Sequence, residues 1–187
     1  MSTVLQKRFL GDVLSNPNNA RILERWDALQ LPDGWLVAGC LFQSVWNRIA
    51  GRPAADSIKD YDLFYFDPAD LSEDAERAVQ RRAQAVLADL PITVEACNQA
   101  RVHLWYPEHF GHPYPPLQDA RDGIRRFLVP ATCVGVSPTA LFAPNGLELI
   151  YQGVLSMNPL TPYRDLFEAK VASYRKRWPW LRSAVDG

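Results

Sequence analysis

The stretch Lys59-Asp60-Tyr61-Asp62-Leu63-Phe64-Tyr65-Phe66 decides the fold of this 187-residue chain, because two aspartates one residue apart open an aromatic and aliphatic run. Side chains of a strand alternate between its faces, so Asp60 and Asp62 are expected on one face, close enough to share a cation. Paired carboxylates repel each other and are costly to bury alone; a fold that keeps them together supplies a divalent metal such as Mg²⁺ or a basic partner. The direction of the segment is informative as well. Ala54 to Lys59 are mostly small or polar, whereas Leu63 to Phe66 read as buried strand, so the pair opens its strand and does not close it.

Upstream, Trp35-Leu36-Val37-Ala38 is a short apolar run, followed by Gly39-Cys40 and by Leu41, Phe42, Val45, Trp46 and Ile49 at helical spacing. This predicts strand, glycine turn and helix. Such a glycine lets the backbone approach a phosphate, and the helix N-terminus presents free N–H groups to it. An ordinary strand-to-helix turn has the same signature; the position ahead of Asp60 gives the turn its functional meaning.

Downstream, Ile92-Thr93-Val94-Glu95-Ala96-Cys97-Asn98 predicts another short strand, with Thr93 and Glu95 on one face and Ile92 and Val94 on the other. Paired beside the Asp60 strand, Glu95 completes a three-carboxylate cluster of the kind two-metal phosphoryl transfer needs, with ions about 3.5–4 Å apart. Otherwise it is a solvated glutamate on a strand face. Arg101-Val102-His103-Leu104-Trp105-Tyr106 alternates in its first half and predicts an adjoining strand with Arg101 and His103 on one face. In a nucleotide site Arg101 would neutralise triphosphate charge and His103 would donate a hydrogen bond or relay a proton. The competing roles are an ion pair of Arg101 with Asp60, Asp62 or Glu95, and a core histidine bonded to a backbone carbonyl.

The strings Val37-Ala38-Gly39, Gln43-x-Val45-Trp46-Asn47, Lys59-Asp60-Tyr61-Asp62-Leu63, Asn98 to Tyr106 and Ala143-Pro144-Asn145-Gly146-Leu147 together resemble a family of small bacterial nucleotidyltransferase-like proteins within the polymerase-beta nucleotidyltransferase superfamily. The resemblance runs from about Arg21 to Leu181. It implies an α/β (α+β) fold, a mixed sheet flanked by helices. It also implies Mg²⁺-dependent (or Mn²⁺-dependent) transfer of an NMP from an NTP to an acceptor hydroxyl with release of pyrophosphate, Asp60, Asp62 and Glu95 being the catalytic metal ligands. Candidate nucleotide contacts are Gly39, Cys40, Gln43, Ser44, Asn47, Lys59, Asn98, Arg101 and His103, with Asn158 a further one suggested by the resemblance. The acceptor is not supplied by it. One departure stands out: the superfamily turn is glycine followed by serine or glycine, and here it is Gly39-Cys40, whose thiol is a weak donor. A catalytically inactive nucleotide-binding or interaction protein of the same fold is the alternative this departure favours.

Composition bounds the rest. Hydrophobic residues make up 48% of the chain, enough for one domain with a sizeable core, expected as an N-terminal helical segment 1–31, a catalytic core 32–160 and a C-terminal helix 161–187. Twenty basic and 21 acidic residues leave a net charge of −1, so no global field draws the molecule to nucleic acid or anionic lipid. Three scattered cysteines read as reduced thiols of a cytoplasmic protein, and no run approaches the ~20 apolar residues of a membrane span. His103, His109 and His112 with Cys97 match no common zinc spacing.

The remaining elements are expected as helices over 4–14 and 19–29, a long amphipathic helix over 73–90, a semi-rigid loop over 107–117, a short helix over 119–127, a strand over 131–136 and a helix over 163–181. Ser57 and Lys59, in the loop before the Asp60 strand, are expected to face a ligand, and Phe110 and Tyr114 either stack on a base or pack on the core. The basic residues and tryptophans that end the last helix are read as snorkelling charges and core-capping rings rather than a nucleic-acid surface.

Overall fold

The fold is described over residues 3–183 from a computed structural model; Met1, Ser2 and residues 184–187, at the outer limits of the two expected helical segments, lie outside the described residues. Three helices open the chain: α1 (Thr3–Leu14), α2 (Pro17–Glu24) and α3 (Trp26–Leu29). Asn16 explains the break between the first two, since its side chain caps α2 by accepting from Asn18 N–H and Pro17 takes the position where no N–H is needed. The helix expected over 19–29 is divided at Arg25, which reaches across to Asp89 and the Val86 carbonyl.

The centre is a five-stranded mixed sheet in the order β3-β2-β1-β4-β5. Strand β1 (Trp35–Val37) leads through Gly39 into helix α4 (Gly39–Ile49), and β2 (Asp60–Tyr65) pairs with β1 antiparallel. Helix α5 (Glu73–Val86) begins at Ser72, whose hydroxyl accepts from Ala75 N–H, and carries Glu73, Asp74 and Glu76 in its first turn where the helix dipole favours them. It crosses over to β3 (Thr93–Asn98), which lies parallel to β2. This βαβ unit brings Glu95 back beside the aspartate strand.

Beyond β3 the chain departs from the strand expected over 101–106. Gln99–Arg101 form a 3₁₀ turn and Val102–Phe110 form helix α6. Asn98 initiates the turn, its carbonyl oxygen Oδ1 accepting from Ala100 N–H. Pro107 sits inside α6 and Gly111, at φ 72°, closes it, so the expected loop starts four residues late. Helix α7 (Ala120–Arg125), strands β4 (Gly135–Ser137) and β5 (Ala140–Phe142), helix α8 (Glu148–Gln152) and strand β6 (Val154–Leu155) follow. The strand expected over 131–136 is a 3₁₀ turn over Pro130–Thr132 and only then β4. Helix α9 (Arg164–Arg177) ends four residues short of Leu181, and β7 (Arg182–Ser183) pairs with β6.

Period-2 alternation sorts β2 cleanly. Tyr61, Leu63 and Tyr65 are buried in the main core with Leu36 of β1 and Val136 of β4, while Asp60, Asp62 and Phe64 face the other way. A smaller apolar cluster of Trp35, Val37, Ala120, Ile124 and Cys133, with Phe64 packed against it, covers part of that second face. Aromatic contacts tie α4 to α9. Trp46 meets Phe42, Tyr174 and Trp178 at centroid distances of 4.7, 5.3 and 5.2 Å, each such pair contributing about 0.5–1.5 kcal/mol. Among the described residues no helix is long and apolar enough to cross a membrane.

Candidate active site

The uncovered part of the sheet's second face is the floor of a cavity of about 720 Å³, the size of a small-molecule site. Asp60, Asp62 and Phe64 enter it from β2 and Glu95 from β3, as expected from the alternation of each strand. Register puts Asp62 opposite Glu95 and Asp60 opposite Thr93. Strands lie ~4.8 Å apart, so the three carboxylates crowd one end of the floor. Burial first, then the charges of Glu95 and Asp60, push the Asp62 carboxyl up to about 7, while Lys170 pulls the other way. Among the described residues no three His, Cys, Asp or Glu side chains are drawn into a ready-made metal cage.

The turn between β1 and α4 forms one wall. Ala38 holds φ 60° and ψ −137°, and Ser57, on the facing loop, holds φ 54°. Both line the cavity, and such backbone strain in non-glycine residues persists only where the surroundings over-determine it. Gly39 is needed for a close approach: a Cβ there would stand 2.5 Å from Gln43 Nε2. Gln43 therefore folds back over the start of its own helix, and its Oε1 accepts from Arg177 Nη1 at 2.7 Å.

Helix α9 forms an adjoining wall through Lys170, Ser173, Tyr174 and Arg177, one stripe at i, i+3, i+4 and i+7. Arg177 also donates to the Asp56 carbonyl at 3.3 Å and lies over the Trp178 ring, 4.1 Å from its centroid. Its buried Nε–H has no acceptor. Burial, then the neighbouring Arg52, lower its pKa below the ordinary arginine value. Tyr106 and Phe110 of α6, Arg126 to Val129 and Thr132 complete the lining.

Of the residues singled out from sequence, Asp60, Asp62, Glu95, Gly39, Gln43, Ser57, Lys59 and Phe110 come together here. The others do not line the cavity. Cys40 is fully buried with its Sγ donating to the Val37 carbonyl, and burial holds its thiol well above the ordinary range. Ser44 is buried on the same side, its hydroxyl donating to the Cys40 carbonyl and accepting from Asn16. Asn47 donates to the Ala54 and Asp56 carbonyls and accepts from Trp178 Nε1, so it fixes the loop that carries Ser57.

Asn98 locks the end of β2 to β3 through both the N–H and the carbonyl of Asp67. Arg101, expected at the phosphates, is buried against α5, where it pairs with Glu76 and donates to the Leu71 carbonyl. Its strand face does not exist, because residues 99–110 are helical. His103 is partly buried on α6, its Nδ1 without a partner. Asn158 is also structural: its amide donates to the Arg125 and Phe127 carbonyls at 2.7 and 2.8 Å and so holds the strip that carries Arg126 to Val129. The wall residues Lys170, Tyr174 and Arg126 were absent from the sequence expectations, and Arg177 was read only among the snorkelling charges that end the last helix. The spacing within α9 was visible, but nothing in it said which element the stripe faces.

Known proteins bear on this arrangement in three ways. No curated protein matches the chain. A solved structure described as an NMR structure that reveals a CCA-adding enzyme head domain superposes with a TM-score of 0.75, at 22% identity, covering 98% of this chain and 95% of that one. It has the same fold. The sequence profile of a family described as nucleotidyltransferase matches residues 24–183, which include every carboxylate, turn and helix of the cavity, and the chain belongs to that nucleotidyltransferase family.

Proposed function

We propose that the cavity carries out divalent-metal-dependent nucleotidyl transfer, moving an NMP from an NTP to an acceptor hydroxyl. The observation that carries this reading is the crowding of Asp60, Asp62 and Glu95 on one floor, with Asp62 pushed up to about 7 by burial and by its two neighbours. Hard carboxylate oxygens that repel each other are the donor set that Mg²⁺ or Mn²⁺ fits, with substrate phosphates and water supplying its remaining ligands. When bound there, such a cation would neutralise the phosphates and lower the cost of ionising the acceptor hydroxyl.

The chain's own residues do the rest. The Gly39 turn offers the start of α4 to the phosphates, Gln43 and Arg177 fix the position of that wall, and Lys59 and Lys170 add positive charge. The acceptor oxygen forms a bond to the α-phosphorus as its proton is released, the bond from the α-phosphorus to the bridging oxygen breaks, and pyrophosphate leaves. Tyr106 and Phe110 give the cavity ring surfaces for a base or a planar acceptor.

The similar solved structure is described by CCA-adding chemistry, but at 22% identity it supports the fold and leaves the acceptor open. A non-catalytic nucleotide-binding role is favoured by one observation, that the residue after Gly39 is a buried Cys40 whose thiol turns to the Val37 carbonyl and offers nothing to a phosphate. Pyrophosphate release from each NTP, offered a panel of hydroxyl acceptors with Mg²⁺ or Mn²⁺, decides between them. Wild type is expected to turn over, and Asp60→Asn, at an exposed position, is expected to abolish turnover while keeping the melting temperature. Full activity in Asp60→Asn would sink the reading.

A further inference from the structure

Positive charge in the cavity is distributed unevenly. Arg126 is paired with Asp122 at 3.2 Å, and Arg52, beside the cavity, with Asp56 at 3.4 Å. Lys59, Lys170 and Arg177 are different: among the described residues none of the three has a carboxylate within ion-pair distance, although all line the cavity, and of these Lys170 and Arg177 share one helix. They are seven residues apart on one face of α9, two helical turns or about 10.5 Å along the axis.

The two ends of this stripe meet different parts of the site. Lys170 lies near enough to Asp62 to act on its charge, and Arg177 is bonded to Gln43 at the Gly39 turn. Tyr174, between them, feels both Asp62 and Arg177. The stripe therefore runs from the carboxylates to the helix start. Arg177 is also pre-positioned: Gln43, the Asp56 carbonyl and the Trp178 ring fix its plane and leave the buried Nε–H without an acceptor. A partly buried guanidinium held rigidly, short of one acceptor and with no counter-ion, is costly unless an anion completes it.

We propose that the Lys170–Arg177 face of α9 is a polyphosphate rail, which holds the triphosphate of the nucleotide between the carboxylates and the Gly39 turn and makes the site select nucleoside triphosphates over monophosphates. This rests on the nucleotidyl-transfer reading and adds the element that grips the tail. Arg101, the residue whose type first suggested that role, is committed to Glu76 on the far side of the sheet edge. Arginine suits the task because its planar fork can meet two phosphate oxygens at once.

The test measures binding of Mg²⁺ complexes of the four NTPs, of inorganic triphosphate and of the matching NMPs to the full chain, wild type against Arg177→Gln, Arg177→Lys and Lys170→Gln. Losing one charge-assisted contact is expected to weaken NTP and inorganic triphosphate about 10–100-fold, with Arg177→Lys intermediate and NMP binding unchanged. Lys170 is exposed and makes no hydrogen bond or ion pair among the described residues, so Lys170→Gln is expected to keep the fold and decides the matter even if Arg177→Gln melts early. Wild type that binds NTPs while Lys170→Gln and the folded Arg177 variants bind them equally well overturns the rail and leaves the transferase reading standing. Wild type that binds neither NTP nor inorganic triphosphate overturns both.

Discussion

Asp62 and Glu95 stand opposite each other across the parallel β2–β3 pair, so two residues far apart in the chain share one end of the cavity floor. Helix α5 between them sets this register, through Gln80, which donates to the Val94 carbonyl and accepts from Ala96 N–H on either side of Glu95. A glutamine on the crossover helix thus holds the strand that presents an acidic group of the site.

That crowding makes the metal-free protein sensitive to pH. The Asp62 carboxyl titrates at about 7 in the folded chain and near its ordinary, lower value when unfolded, so the folded state holds the extra proton between the two. The contribution of Asp62 to stability in EDTA is expected to be full near pH 4 and to fall by about 1–2 kcal/mol towards pH 8, screening by solvent included. Asp62→Asn should flatten that part of the profile and melt higher than wild type at pH 8. Thermal melts at both pH values check it; equal slopes in the two proteins would remove Asp62 as the cause.

Gly39→Ala separates binding from folding. The added methyl meets only the mobile end of Gln43, at 2.5 Å, so a stability loss below about 1 kcal/mol is expected. Moving Gln43 releases Arg177, however, and nucleotide affinity should fall about tenfold. Calorimetric titration with Mg²⁺ and NTP beside a thermal melt reads both effects.

Arg101 should matter for stability and not for the nucleotide. Its side chain is 9% exposed and its partner Glu76 is 19% exposed, so Arg101→Ala strands a carboxylate and is expected to cost about 3–5 kcal/mol. Denaturant unfolding measures that loss. Nucleotide affinity per folded molecule should stay within twofold of wild type; a large drop would return Arg101 to the site.

Asn158→Ala removes both amide bonds from this buried side chain to the partly buried Arg125 and Phe127 carbonyls. A cost of about 2–3 kcal/mol is expected from the unmet acceptors. Since the same strip carries the cavity residues Arg126 to Val129, hydrogen exchange should rise there first.

The aspartate strand was legible because a period of 2 leaves no choice about which side chains share a face, and the strand of Glu95 was legible for the same reason. Arg101 to Tyr106 was misread because its short polar–apolar alternation suits a strand as well as one turn of helix. The loop was expected to start at Pro107, yet α6 continues past it to Phe110, with Tyr106 packed on Phe110 and Tyr114 at 4.6 and 4.3 Å. Cys40, Ser44, Asn47 and Asn98 were expected as nucleotide contacts, but none of them lines the cavity, and their side chains satisfy backbone groups behind it. Which polar side chains turn inward to do this depends on contacts distant in the chain, such as Asn16 with Ser44 and Asn47 with Trp178.

The stripe on α9 has a consequence for the order in which the site is made. The sheet is complete once β5 has been synthesised, so the acidic floor can gather while residues 164–177 are still being added. Until that helix docks, the nascent chain holds mutually repelling carboxylates without the two cations of the adjoining wall. Translation therefore delivers the charges of Lys170 and Arg177 after the carboxylates they accompany, and the docking of one late helix adds a basic wall to an open acidic shelf.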